Sequence, residues 1–252
     1  MKLYKYVPFN DKSVDILSSN TMKFSKANEF NDPFDCVVNY DVERSIKHIK
    51  KDRKDLLLDS DLYPGLSAAK RIQMRGQRLH KIKLAMENGT IQSDIVNTWG
   101  ICSLSKNPLS ILMWSHYAEN HRGFVAEFDS SLTHSADYPE KTLASWKIDY
   151  SSKMPKTHMG VSNFNDLKRM FLVKALEWDY EQEYRCLAHN SGPGIHKFKP
   201  EILTKIIAGA KMDPEHYRKL ELLVSQYNHQ HTLAVELCRV ELSKASYELK
   251  FV

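Results

Sequence analysis

Trp178-Asp179-Tyr180-Glu181-Gln182-Glu183-Tyr184-Arg185 places two carboxylates and a guanidinium at every second position. Strand side chains at i, i+2 and i+4 emerge on one face, about 7 Å apart. The stretch therefore predicts a strand with Glu181, Glu183 and Arg185 in a charged row, and with Trp178, Tyr180, Gln182 and Tyr184 on the other face. Such a row is either a solvated salt ladder or the edge of an active site.

Upstream, the pattern predicts a helix over 166–176 that delivers the chain into this row, with strands over 146–150, 123–128 and 98–105 and a short helix over 109–117 after Pro108. Downstream, 202–208 is a continuous apolar run of buried-strand length. Asp213-Pro214 reads as the cap and first turn of a helix through about Tyr227, and strands over 232–242 and 247–252 close the chain. At the start, 3–7 and 21–25 read as strands, and Phe30-Asn31-Asp32-Pro33-Phe34-Asp35 as a turn, because Asn and Asp bond their own backbone and Pro fixes φ. Two amphipathic helices follow, one with the stripe Val42, Ile46, Ile49 and one with Ala68, Ile72, Leu79, Ile82, Met86, separated by Tyr63-Pro64-Gly65. Neither a Gly-x-Gly-x-x-Gly turn nor a Walker loop occurs, so a doubly wound nucleotide fold is not indicated. The expectation is a single mixed α+β domain over 1–252, with 41–95 as a basic helical insertion.

The 252 residues, 42% hydrophobic and 27% charged, are ordinary for a soluble globule with room for a core. Four scattered cysteines (Cys36, Cys102, Cys186, Cys238) with no Cys-x-x-Cys pair argue against a zinc cluster or a disulfide framework and for reduced thiols. The N-terminus lacks an apolar signal core and no apolar run could span a bilayer, so a cytoplasmic protein without membrane attachment is expected. The net charge of +5 is uneven. Residues 41–88 hold twelve of the 36 Lys/Arg but seven of the 31 Asp/Glu, which leaves the rest of the chain balanced at 24 each. Concentrated basicity is the footprint of a phosphate-rich partner, RNA or DNA, with Lys50, Lys51, Arg53, Arg75 and Arg78 as contacts, or simply a solvated helix face.

Metal and nucleophile signatures are weak. His116 and His121 are five apart, His229 and His231 two apart, and neither pair forms a His-Glu-x-x-His helix. There is no Gly-x-Ser-x-Gly elbow, and Cys102 reads as core. Asp32, Asp35, Glu181 and Glu183 could serve a metal-dependent nuclease as oxygen ligands. Met113-Trp114-Ser115-His116-Tyr117 puts Trp114 and Tyr117 on one helical face, either as a flat wall for a planar ring or as core packing. Arg122, before Gly123, could meet a phosphate or close a salt bridge.

The segments Leu3-Tyr4-Lys5-Tyr6, Phe30 to Asp35, Ser103-Leu104-Ser105, Met113-Trp114-Ser115-His116-Tyr117-Ala118 and the Trp178 to Arg185 stretch together resemble a widespread bacterial family of unknown function whose members recur near phage-defence genes. A looser resemblance is to ADP-ribosyltransferases of the Arg-Ser-Glu class, on Tyr4-Lys5-Tyr6, Ser103-Leu104-Ser105 and Glu181-Gln182-Glu183. The first strand carries no Arg and Leu104 stands where that class has Thr. This resemblance implies a mostly antiparallel sheet core and an enzyme that uses NAD as a substrate to modify a macromolecule, as a toxin or antiphage effector restrained by an antitoxin. It also implies roles. Glu183 stabilises the ribosyl cation, Glu181 orients or deprotonates the acceptor, Ser103 and Ser105 position the ribose and Glu183, Trp114 or Tyr117 stacks on nicotinamide, Lys5 with Arg122 holds the pyrophosphate, and Tyr4 is a further cofactor contact. The rivals are a metal-dependent nuclease and a non-catalytic module that binds a nucleotide or nucleic acid.

Overall fold

A computed structural model describes residues 1–130, 144–159 and 164–252, with the side chains of 164–167 left out. The chain divides into two compact units, Met1–Glu29 with Trp99–Ile148 and Leu176–Val252, and Phe30–Thr98 with Asp149–Ala175. The architecture is mixed α+β around a mostly antiparallel sheet.

The first unit is built on an eight-stranded sheet, β1 (Lys2–Val7), β2 (Gly100–Ser105), β3 (Phe124–Asp129), β4 (Ser145–Lys147), β5 (Glu183–Ala188), β6 (Leu203–Ala208), β7 (Glu236–Leu242) and β8 (Leu249–Phe251), beside a separate pair of strands, Thr21–Phe24 and Gly194–Lys197. They lie in the order β8-β7-β6-β3-β1-β2-β5-β4. Every pairing is antiparallel except β6 with β7. Parallel neighbours need a crossover, and the helix Pro214–His231 supplies it. The apolar run expected at 202–208 is the buried strand β6. Its alternate side chains enter different cores, Ile206 and Ala208 on one face and Ile207 on the other. The first face packs Leu3, Val7, Cys102, Leu104 and Phe124 against Leu220, Val224 and Tyr227 of the long helix. The second packs Tyr6, Val125, Ile207 and Val240 against Met113, Trp114 and Ala118 of the short helix Ile111–Tyr117 and the turn that ends it.

Asp213 caps the long helix as read from the sequence. Its carboxylate accepts the Glu215 N–H at 2.8 Å, and Pro214 takes the first position, where no N–H is needed. The helix runs on to His231, where Thr232 at φ 55° ends it. Asp213→Ala is expected to lower stability by about 1 kcal/mol, read as a shift in the urea midpoint at constant m-value.

The second unit is mainly helical. Asp41 caps the helix Val42–Asp52 by accepting the Arg44 N–H at 3.0 Å. The second expected helix is two, Ala68–Gln73 and Arg75–Glu87, broken at Met74. Its stripe is not one face, since Ile72 is exposed while Met86 is buried. The helix Thr90–Asn97, absent from the sequence reading, follows; the chain re-enters this unit at Asp149, and Phe164–Phe171 with the short strand Val173–Ala175 stand where one helix over 166–176 was expected.

The largest departure concerns residues 178–185. Leu176–Glu181 is a 3₁₀ helix, Gln182 turns through φ 46°, and the strand starts at Glu183. The Gln182 N–H bonds the Asp179 carbonyl at 3.1 Å, which closes that turn. Glu181 is therefore not part of an alternating row, and only Glu183 and Arg185 share a strand face.

Candidate active site

Residues directly opposite each other in an antiparallel pair project from the same face. The register sets Glu127 of β3 opposite Tyr4 of β1, Tyr4 opposite Ser105 of β2, and Ser105 opposite Glu183 of β5. Four adjacent central strands thus carry one transverse polar row. Glu127, Ser105 and Glu183 are buried and Tyr4 is half-buried. One pair along, Arg185 faces Ser103 on one side and Trp146 on the other.

Each charged member of this row has a built environment. Arg185 is fully buried and grips Glu183 with two bonds, Nε to Oε1 at 2.8 Å and Nη2 to Oε2 at 3.1 Å. Such a fork fixes both rotamers. Glu127 accepts the Thr204 hydroxyl at 2.8 Å and lies 3.4 Å from the Lys2 ammonium. Burial first, and the neighbouring Glu127 carboxylate second, push the Tyr4 phenol up to about 12. Its proton therefore stays on at neutral pH.

Glu181 reaches the row from the 3₁₀ helix that precedes β5. Its carboxylate accepts the Tyr117 hydroxyl at 2.6 Å, and its backbone carbonyl accepts the Ser105 hydroxyl at 2.6 Å. The Lys106 N–H bonds the Gln182 carbonyl at 3.0 Å. Ser105 therefore holds the turn that presents Glu181. At its rim, His116 Nδ1 and the Tyr180 hydroxyl are 3.0 Å apart. His121 is not its partner but is buried beside Ser115, 3.1 Å from that hydroxyl, and burial keeps its imidazole below the usual range.

The structure brings together Tyr4, Ser103, Ser105, Tyr117, Glu181 and Glu183, and it reassigns three other residues. Trp114 is fully buried, lies edge-on to Tyr6 at 5.4 Å, and donates its indole N–H to the Pro108 carbonyl at 2.9 Å. With both ring faces inside the core it is not a wall for a ligand. Lys5 belongs to the opposite sheet face by the alternation of β1. Its ammonium donates to the Ser103 carbonyl at 2.9 Å and lies beside the buried Cys102 thiol. Arg122 is exposed five positions along from Glu127, after Glu119, Asn120 and His121, all with positive φ. Neither cation belongs to the polar row.

The basic segment divides similarly. Lys50 and Lys51 are exposed at the end of their helix, and Arg75 is half-buried. Arg53 forks Asp55 at 2.8 to 3.1 Å. Arg78 is buried, stacks 3.4 Å over the Tyr63 ring and donates to the Leu57 carbonyl, so it is a structural residue of the helical unit and not an exposed contact.

The acids considered for a metal divide between the units, Glu181 and Glu183 in the first, Asp32 and Asp35 in the second. Asp35 is 3.6 Å from the buried Lys174 ammonium, and Asp32 accepts the Phe34 N–H at 2.9 Å. Among the described residues no group of three or more His, Cys, Asp or Glu side chains is arranged to hold a metal ion, and no helix is long and apolar enough to cross a membrane. Glu127 was missed in the sequence. Its signal was an acid in the middle of Phe124-Val125-Ala126-Glu127-Phe128, where a strand core seldom carries charge.

No curated protein and no solved structure matches the chain. Residues 113–186, the span from the buried-Trp114 helix to the Glu183 and Arg185 strand, match the family described as a protein of unknown function, DUF2971.

Proposed function

We propose that the chain is an ADP-ribosyltransferase-like enzyme that takes NAD as a substrate and transfers ADP-ribose to a macromolecule. One juxtaposition carries this reading. Glu183 faces Ser105 across paired strands, and Ser105 holds the turn that presents a second buried carboxylate, Glu181.

In this reaction the bond between nicotinamide and ribose breaks with its electron pair leaving on nicotinamide, and positive charge develops on the sugar. A fixed carboxylate favours that transition state over the ground state. Glu183 takes this role, with its orientation set by Arg185. As the acceptor forms its bond to the ribose carbon, its proton passes to Glu181, as happens between paired acids in glycoside cleavage. Tyr117 orients that carboxylate, and Ser103, with Tyr4 held by its hydrogen bond to Glu127, faces the ribose. The phosphate grip assigned to Lys5 and Arg122 has no support in the row, and the stacking assigned to Trp114 falls away. An enzyme of this kind would harm its own cell, which fits an antiphage effector held by an antitoxin.

The test is release of nicotinamide and transfer of label from NAD labelled in its adenylate phosphate, with RNA, DNA or protein as acceptor and no added metal. Glu181→Gln, which leaves the Glu183 and Arg185 fork intact, is expected to slow transfer of label to the acceptor about a hundredfold with an unchanged melting temperature. A wild-type protein that neither releases nicotinamide nor labels an acceptor would sink the reading. Shortening of nucleic acid only with Mg²⁺ would replace it with the nuclease.

A further inference from the structure

The helical unit holds a cleft of about 390 Å³ lined by Val42, Glu43, Ile46 and Lys47, with Lys50 from the same helix and Lys83 from the helix Arg75–Glu87. We infer that this cleft binds single-stranded nucleic acid, with bases over its apolar floor and phosphates at its three lysines. The inference does not rest on the NAD reading.

The cleft follows from helix periodicity. Val42 and Ile46 are four apart and so share a face, and both are half-buried. Glu43, Lys47 and Lys50 follow the neighbouring line at i, i+4 and i+7, and all three are exposed. Lys83 adds an ammonium from the second helix. Its bond to Glu87 is 3.6 Å long between half-exposed partners, a pairing that water and salt weaken to little. Three ammonium groups against one carboxylate leave the rim at +2, within a segment that carries the chain's whole charge excess.

An apolar strip beside a line of cations suits a ligand with that same division. A single strand offers bases that lie on apolar surface and phosphates that draw cations. A duplex hides its bases and a simple anion has none. Lys50 is retained from the sequence reading, while Lys47 and Lys83 replace Arg53 and Arg78, which have partners elsewhere.

Binding is read by fluorescence anisotropy with a labelled twelve-nucleotide oligouridylate and its deoxy counterpart, over a salt series and without NAD. Neutralising phosphates releases counterions, which gives a log–log slope of about −0.7 per contact on a single strand. The triple variant Lys47→Ala, Lys50→Ala, Lys83→Ala is expected to flatten the slope by about 2 and weaken binding about tenfold or more at low salt. Ile46→Asp should weaken single strands further than it weakens a duplex of equal length. Lys244→Ala, at an exposed site in the other unit, should leave binding unchanged. An unaltered slope in the triple variant, no binding at low salt, or capture of phosphatidylserine vesicles without competition by the oligonucleotide would each overturn the inference. Nicotinamide release by wild type would persist in any of these cases if the NAD reading holds.

Discussion

Arg185→Met is expected to remove about 3–5 kcal/mol of folding stability, because it strips the partner from a buried carboxylate. Arg185 has no exposed surface and Glu183 is almost as deeply buried. Both are held by the two-bond fork. Burying two charges is expensive, and their attraction offsets the desolvation only while the geometry is intact. Removing one member takes a two-bond partner from a charge that lies among Ser103, Ser105 and the strand backbones. Urea unfolding of Arg185→Met, Glu183→Leu and the double variant separates the pair from its members. Each single variant should be strongly destabilised, and the double variant should be less unstable than the sum of the two singles, since the members of a buried ion pair are coupled. A double variant as unstable as the sum of the singles would show that the fork contributes no coupling.

Trp114→Ala carries the second large effect, a loss of about 3–5 kcal/mol. The indole is the largest fully buried side chain among the described residues, and it links two parts of the first unit. Its edge contact with Tyr6 ties the short helix to β1. Its N–H bond to Pro108, with the Tyr6 hydroxyl donating to Asn107 at 2.6 Å, fixes the loop between β2 and that helix. Truncation leaves a cavity and unmakes the bond, so thermal unfolding should move well before ligand binding does. Had Trp114 been a stacking wall, the ranking would reverse, with binding lost and stability kept.

These residues also show what could be read from the chain alone. The β6 strand, the Asp213-Pro214 cap and the Val42, Ile46, Ile49 stripe were legible because each is a local signal, where apolar runs, capping chemistry and period act within a few residues. The 178–185 stretch misled because alternation of charge and aromatic is compatible with a tight helix followed by a strand. The left-handed turn at Gln182 that separates them carries no signal without a glycine. Ser105 and Glu183 could be named as candidates, but their direct opposition depends on pairing between distant strands, which sets register through tertiary packing. Composition marked Arg78 as basic, yet it could not tell a guanidinium in water from one laid across Tyr63. Trp114 and Tyr117 share a helical face in both readings. Only the sheet decides that one is core and the other reaches Glu181.

The place of β1 has a consequence for synthesis. This strand sits between β3 and β2 in the middle of the sheet, and its longest pairing is with Phe124–Asp129. Both Gly100–Ser105 and Phe124–Asp129 must emerge before Leu3 and Tyr6 can be flanked on the two sides. Synthesis of β1 and completion of its pairing are therefore separated in time, and the middle of the sheet closes only after Phe124–Asp129 has been made.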